Sequence, residues 1–477
     1  MITARARIYA AAVLAIGAGA TVAAADDSPA ATPTQQELLQ QINDLKAKVE
    51  RLEAASAPAS QAPASQPAER TSVVTTTSEV SAADAMFRDA EARSQIQLLQ
   101  SAGNFTAGYN KGKFVLQDDK GDFVLRPQLQ FMPRWVANDR ENARNGTDSD
   151  FQSGFEIRRM KLGFDGNAFG PNNTYLFLWA TDRNTGNLIL EEAWAKHAFT
   201  TGALKNFAVK GGQFKDPFAH ESLTSSKKLL AAERTLLNDT FTGGDNFVQG
   251  VTFSWDDGPK GSPFRFEVAY TDGANAPNQN FQDFPVNKAN FGVAGRVEFL
   301  AFGTWTEYED FTANGNKEDM LVFGGGLDLT EAGDTDALLQ TVDVQYESKR
   351  LGLYGAYLGR SVENLRVGTG AAATDVNTYD WGFIVQAAYM LNDHAEPFLR
   401  YDYMMLDSDG LAASVKQNKV SEITAGMNYY YKSHNAKFTV DFTYLPDGTP
   451  VADSGADILV SDDEAEFLVR AQFQLLL

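Results

Sequence analysis

Beyond position 105 apolar and polar residues alternate one by one, the period of a β-strand with two unlike faces. Across 122–135, Phe123, Leu125, Leu129, Phe131 and Trp135 point one way and Arg126, Gln128, Gln130 and Arg134 the other. Across 436–445, Phe438, Val440, Phe442 and Tyr444 oppose Lys437, Thr439, Asp441 and Thr443. In the last segment Phe467, Val469, Ala471, Phe473, Leu475 and Leu477 alternate with Arg470, Gln472 and Gln474. Sixteen such segments can be counted, near 122–135, 155–164, 173–181, 188–198, 206–214, 247–255, 263–271, 290–300, 319–329, 338–347, 350–360, 380–391, 396–406, 421–431, 436–445 and 466–477. Their connections mostly alternate between short and long; 182–187 and 330–337 are short where a long one is due, and 301–318 is long where a short one is due.

A soluble sandwich also alternates, so the decision rests on what each face carries. The polar face bears full charges in strand after strand. The apolar face ends repeatedly in aromatics, among them Trp135, Trp179, Trp255, Trp381, Tyr403 and Tyr431. A wet lumen and interfacial girdles produce that pattern. The chain therefore reads as all-β, a sixteen-stranded antiparallel transmembrane β-barrel over 122–477. Closure leaves no sheet edge and satisfies every ladder hydrogen bond in lipid.

The N-terminal part follows other rules. Arg5 and Arg7, the small apolar run from Ile8 to Ala20 and Ala23-Ala24-Ala25 read as a signal peptide over 1–25. Leu38, Ile42, Leu45, Val49 and Leu52 form a heptad seam, so 34–53 predicts a short α-helical coiled-coil stem. It is too short to hold alone and needs an oligomeric body to gather its copies, unless it is one amphipathic helix packed on its own chain. Residues 54–80 begin with an Ala/Pro/Ser-rich stretch and predict a flexible linker. Residues 81–121 predict a short helix and a hairpin leading to the barrel.

Composition removes several classes. There is no Cys, hence no disulfide and no thiolate metal site. Removing residues 1–25 takes away two Arg and no acid, turning the formal charge from −21 to −23, a poor partner for nucleic acid. Gly324-Gly325-Gly326 lacks the Lys-Ser of a phosphate-binding loop, and no G-x-S-x-G or H-E-x-x-H occurs. Strand parity sends Glu191 and Glu192 to opposite faces, so they do not form an acid–base pair. The turns at 182–187 and 407–410 loosely resemble calcium loops, but Asp, Asn and Gly also make ordinary turns. No catalytic residue, cofactor or metal is expected.

Several stretches resemble the phosphate-selective porin O and P family. They are Gly108-Tyr109-Asn110-Lys111-Gly112-Lys113-Phe114 leading into Phe123-Val124-Leu125-Arg126, then Arg158-Arg159-Met160-Lys161-Leu162-Gly163-Phe164, Gly212-Gln213-Phe214-Lys215-Asp216-Pro217-Phe218 and Glu221-Ser222-Leu223-Thr224-Ser225-Ser226. The resemblance runs from Gly103 to Leu477 and is carried most by the order of the motifs. It implies a homotrimeric barrel in the outer membrane of a diderm bacterium; the even strand count brings both chain ends to the periplasmic side, where the stem is expected. It also implies a third long loop folded inward, here 215–246, with Lys215, Lys227, Lys228, Glu233 and Arg234 as its charged constriction residues.

Parity gives the pore-lining candidates: Arg126, Arg134, Arg159, Lys161, Arg265, Glu267, Arg296, Glu298, Arg400, Asp402, Lys437, Asp441 and Arg470. Ile157 and Met160 share a face only if a bulge lies near Arg158. The family's phosphate specificity is tied to an arginine ladder and a lysine ring, and no comparable arginine run is present here. The expectation is passive diffusion of small hydrophilic solutes and ions across outer-membrane lipid, with weak anion preference and no high-affinity phosphate site. The alternative is a structural envelope protein that tethers the membrane to peptidoglycan through the stem.

Overall fold

Among the described residues, eighteen antiparallel strands build one sheet. A leading hairpin, β1 (Phe105–Asn110) and β2 (Lys113–Asp118), precedes sixteen others. These are β3 (Val124–Arg140), β4 (Phe151–Asn167), β5 (Asn173–Thr181), β6 (Leu188–Ala198), β7 (Phe207–Lys215), β8 (Phe247–Trp255), β9 (Phe264–Thr271) and β10 (Phe291–Phe302). The second half is β11 (Met320–Ala332), β12 (Thr335–Glu347), β13 (Leu351–Val367), β14 (Thr374–Tyr389), β15 (Ala395–Met405), β16 (Lys419–Lys432), β17 (Ala436–Leu445) and β18 (Glu466–Leu476). The structure is a computed structural model and describes residues 105–110, 113–140, 150–244, 246–258, 261–282, 288–368, 373–411, 415, 417–451, 453, 455–461 and 464–477. The expected signal peptide, stem, linker and helix lie outside these residues.

From β3 to β18 each strand pairs with the next, and β18 returns to β3 with Glu466 opposite Arg140 and Leu476 opposite Gln130. Leu129 and Leu477 exchange two backbone hydrogen bonds at the seam, so the alternation that runs into Leu477 closes the barrel. All sixteen segments read from the alternation are strands of this barrel. Their ends moved where loop-like composition hid a strand: β13 and β14 run to Val367 and start at Thr374, inside the stretch read as a long loop.

The faces are inverted relative to a water-soluble protein. Val297, Leu327, Val342, Val385, Leu399 and Phe442 are exposed on the outside, while Arg134, Arg296, Arg400, Asp441 and Arg470 are buried within. A surface of this kind is stable only against lipid. Between β11 and β12 the turn is tight, with Ala332 paired to Thr335.

Candidate functional site

Residues 216–244, between β7 and β8, pack against the inner wall. The segment carries two short helices, α1 (His220–Leu223) and α2 (Leu236–Thr242). Thr235 caps α2 by accepting from Asn238 N, and Gly243 ends it in the left-handed region at φ 72°. Leu229, Leu230, Leu236, Leu237 and Phe241 join one buried cluster with Tyr354, Leu358, Ile384, Phe398 and Met404 of β13–β15. Glycine clears the way: a Cβ on Gly326 would stand 2.4 Å from the Phe218 carbonyl oxygen, and one on Gly382 2.4 Å from a Leu237 methyl. Gly326, the last of the triple glycine in β11, thus leaves room for this segment.

Wall side chains satisfy the segment's backbone, which is buried without a ladder of its own. Lys437 donates to Leu229 O (3.0 Å), Asn428 to Leu230 O (2.9 Å), Arg400 to Glu233 O (2.7 Å), Arg360 to Thr240 O (3.0 Å) and Arg296 to Phe218 O (3.0 Å). Asp441 accepts from Ala232 N (2.9 Å) and Glu422 from Leu236 N (3.0 Å).

Two further segments turn inward. Residues 303–318 carry α3 (Trp305–Tyr308), and Phe311 N donates to Lys228 O at 3.3 Å, which joins this turn to the segment above it. Asp310 contacts His434 at 2.7 Å. In the last long connection Arg134 donates to Gly455 O, Asn138 to Asp457 O and Arg470 to Ala456 O. The excess length of 301–318 was visible in the sequence; its inward course was not.

The charges named from parity lie mostly in pairs. Arg126 meets Asp165 at 2.5 Å, Lys161 meets Glu191 at 2.5 Å, and Glu267 meets Lys210 at 2.8 Å. Arg265 pairs with Glu298 and lies 4.4 Å over the Trp305 ring. Arg296 meets Glu298 at 2.6 Å and Asp343 at 2.7 Å. Arg400 meets Glu422 at 2.7 Å, with Asp402 buried two positions along the same face. Arg470 meets Asp441 at 2.7 Å. In the inward segment Lys215 donates to Ser222 O and Thr224 O, Lys227 to Gln128, and Arg234 to Glu221 O and Thr224 O; Lys228 stands 3.8 Å from Glu309. Glu233 is ringed by Arg134, Arg158 and Arg159. Arg159 faces Met132 and Ile157 faces Pro133, so Arg158 is the bulge residue and both arginines reach Glu233.

A second bulge corrects the reading of Glu191 and Glu192. Leu178 faces Glu192 and Trp179 faces Leu190, so Glu191 is the extra residue and parity breaks there. Both carboxylates line the same opening, about 460 Å³ in volume, beside β3–β8. Arg126, Lys161, Lys215, Lys227 and Asp165 also border it, with Gln128, Gln130, Tyr175 and Trp194 between them. At 182–187, Asp182 accepts from the backbone of Asn184 and Thr185, which is an ordinary turn. Among the described residues, no group of three or more His, Asp or Glu is placed to hold a metal ion.

His220 gives the segment a pH dependence. Its ring stacks on Tyr308 at 4.0 Å between centroids, and Nε2 lies 2.7 Å from Gln345 Oε1. Burial drives its pKa down to about 4; the Asp343 charge opposes this and the Arg296 charge adds to it. The unfolded ring takes a proton first, near 6.5, so the stability this site contributes is complete above that pH and is lost as pH falls toward 4. Asp457 runs the other way, because burial, against Arg134, pushes it up to about 6, and its ionisation above that pH works against the packing. Burial also raises the carboxyls of Asp216, Glu221 and Asp239, which act in the same sense as Asp457, so the His220 contribution is read as a difference between two proteins. Between pH 7 and 4 the amide protection factors across 216–244, corrected for intrinsic exchange rates, should shift toward lower protection in the wild type relative to His220→Phe. An identical pH response in both proteins would rule out His220 as the titrating group.

A closed sixteen-stranded barrel with an apolar exterior, a charged interior and an inward segment defines a porin. The chain belongs to the phosphate-selective porin O and P family, whose description matches residues 132–474. An uncharacterized protein of Aquifex aeolicus (strain VF5) is 25% identical over 354 residues, covering 67% of this chain and 82% of that one. Among solved structures, the anion-selective porin from Comamonas acidovorans is similar at TM-score 0.51 and 12% identity, over 74% of this chain and 99% of that one. Salmonella typhi OmpF in complex with daunomycin is similar at TM-score 0.50 and 14% identity, over 75% and 99%. These two likenesses concern the fold.

Proposed function

We propose that this porin lets small hydrophilic solutes and ions diffuse passively across the outer membrane, with weak anion preference, and that 215–246 narrows its lumen. The observation that carries the reading is the opening beside β3–β8, bordered by Arg126, Lys161, Lys215 and Lys227 against Asp165, Glu191 and Glu192. Opposed charges across a narrow passage orient water and polar solutes. Charges at the narrowing outweigh more distant ones because screening acts over about 8 Å at physiological salt. The slight basic excess supports weak anion preference against the acidic total charge. A charged opening inside the wall also favours a channel over an envelope anchor, and we propose a homotrimer as its assembly.

Reversal potentials across planar bilayers under a chloride gradient test this reading. A modest shift toward the chloride potential is expected, with no block by micromolar phosphate. Clear cation selectivity would refute the anion preference, micromolar block would reveal a tight phosphate site, and absence of conductance would refute the channel itself. Cross-linking in native membranes tests the trimer.

A further inference from the structure

We propose that Arg134, Arg158 and Arg159 form an oxyanion site that the chain fills with its own Glu233 carboxylate. Arg134 Nη1 donates to Glu233 Oε1 at 2.7 Å. Arg158 donates through Nε to Oε1 at 2.6 Å and through Nη2 to Oε2 at 3.0 Å. Arg159 donates through Nη1 to Oε1 at 3.0 Å and through Nη2 to Oε2 at 2.7 Å. Two forks and a further donor converge on one carboxylate that is 1% exposed. A carboxylate offers about four lone-pair positions, fewer than the donors aimed at it. An anion with three or four oxygens would match this set better, since each guanidinium fork grips a pair of oxygens.

The surrounding charge agrees. Arg134 also contacts Glu156 at 2.5 Å and Asp457 at 2.9 Å, and Arg183 contacts Glu156 at 2.9 Å. Among the described ion pairs, four guanidinium groups thus crowd around three carboxylates, Glu233, Glu156 and Asp457. Burial works to raise the Glu233 pKa, and Arg158, Arg159 and Arg134 overcome it and hold the carboxyl well below the usual range. It remains charged at neutral pH. Being tethered, it meets the arginines at a high effective concentration, so free oxyanions compete poorly. The proposal rests on the lumenal location given by the channel reading, and it gives a reason to expect no tight phosphate binding in the wild type: the guanidinium cluster is already occupied.

The test uses Glu233→Gln in the full chain, with inorganic phosphate as the probe at constant ionic strength in chloride. Phosphate should raise the variant's thermal denaturation temperature and block its chloride current. The half-effect concentration should lie about tenfold or more below that of the wild type, the scale of one charged hydrogen-bond set. Identical phosphate responses in the two proteins would overturn the proposal. If the variant refolds only with phosphate present, the anion is standing in for the carboxylate and the proposal holds. If it refolds in neither salt, Glu233 acts as a specific tether and the proposal fails. A wild-type chain that does not conduct would defeat the channel reading alone, because the denaturation assay still decides this one.

Discussion

Replacing residues 218–244 with a short glycine linker should raise single-channel conductance severalfold. Lys215 and Phe247 already face each other at the ends of β7 and β8, so a tight turn can join them without disturbing the ladder. The strands owe their closure to hydrogen bonds between neighbours, none of which the segment supplies. What the segment does supply is volume, since Leu229, Leu230, Leu236, Leu237 and Phe241 fill the space against β13–β15. Its loss also uncovers Tyr354, Leu358, Ile384 and Phe398, an apolar patch on the inside of the barrel. The shortened protein should thus conduct more and unfold more easily. The measurement is current through single channels in a planar bilayer. Unchanged conductance in a folded variant would show that the narrowing lies elsewhere, with the inward turn at 303–318 as the next element to remove.

That apolar patch also explains what the sequence could and could not convey. A strand lined by charge on one face and hydrocarbon on the other states its parity openly, as in Phe438 to Tyr444 against Lys437 to Thr443. The barrel was legible for this reason, down to the number and order of its strands. In β14 the inner face carries Ile384, which only a covering segment explains, and no local pattern says which segment that is. Partners such as Glu233 and Arg134 lie 99 residues apart, and charge spacing gives no hint of their meeting. Bulges fail for a different reason. One extra residue reverses parity beyond it, so Glu191 and Glu192 were separated on paper while Arg158 and Arg159 were flagged by the neighbouring Ile157 and Met160. The inward courses of 303–318 and of the last long connection depend on contacts with the 216–244 segment and the wall, which exist only once the barrel has closed.

Removing one partner of the Arg470–Asp441 pair should destabilise the protein more than removing both. Both side chains are fully buried, with Arg470 Nε 2.7 Å from Asp441 Oδ1. Arg470 further donates to Thr443 Oγ1 at 3.0 Å and to Ala456 O at 2.9 Å, and Asp441 accepts from Ala232 N at 2.9 Å. The pair therefore joins three parts of the molecule: the wall, the inward segment and the last long connection. Arg470→Met leaves a carboxylate enclosed with a single backbone donor, and breaking a buried pair in this way costs about 3–5 kcal/mol. Arg470→Met combined with Asp441→Leu leaves no enclosed charge. Its cost reduces to the lost bonds at Ala232, Thr443 and Ala456, each worth about 0.5–1.5 kcal/mol. Charge removal should thus offset part of the damage, giving a favourable coupling of about 1–3 kcal/mol between the two substitutions. Urea unfolding in lipid vesicles, followed by tryptophan emission, measures all members of the cycle. A double variant less stable than Arg470→Met would mean that water reaches this pair and screens it, and that the inner wall between β17 and β18 is wetter than its burial implies.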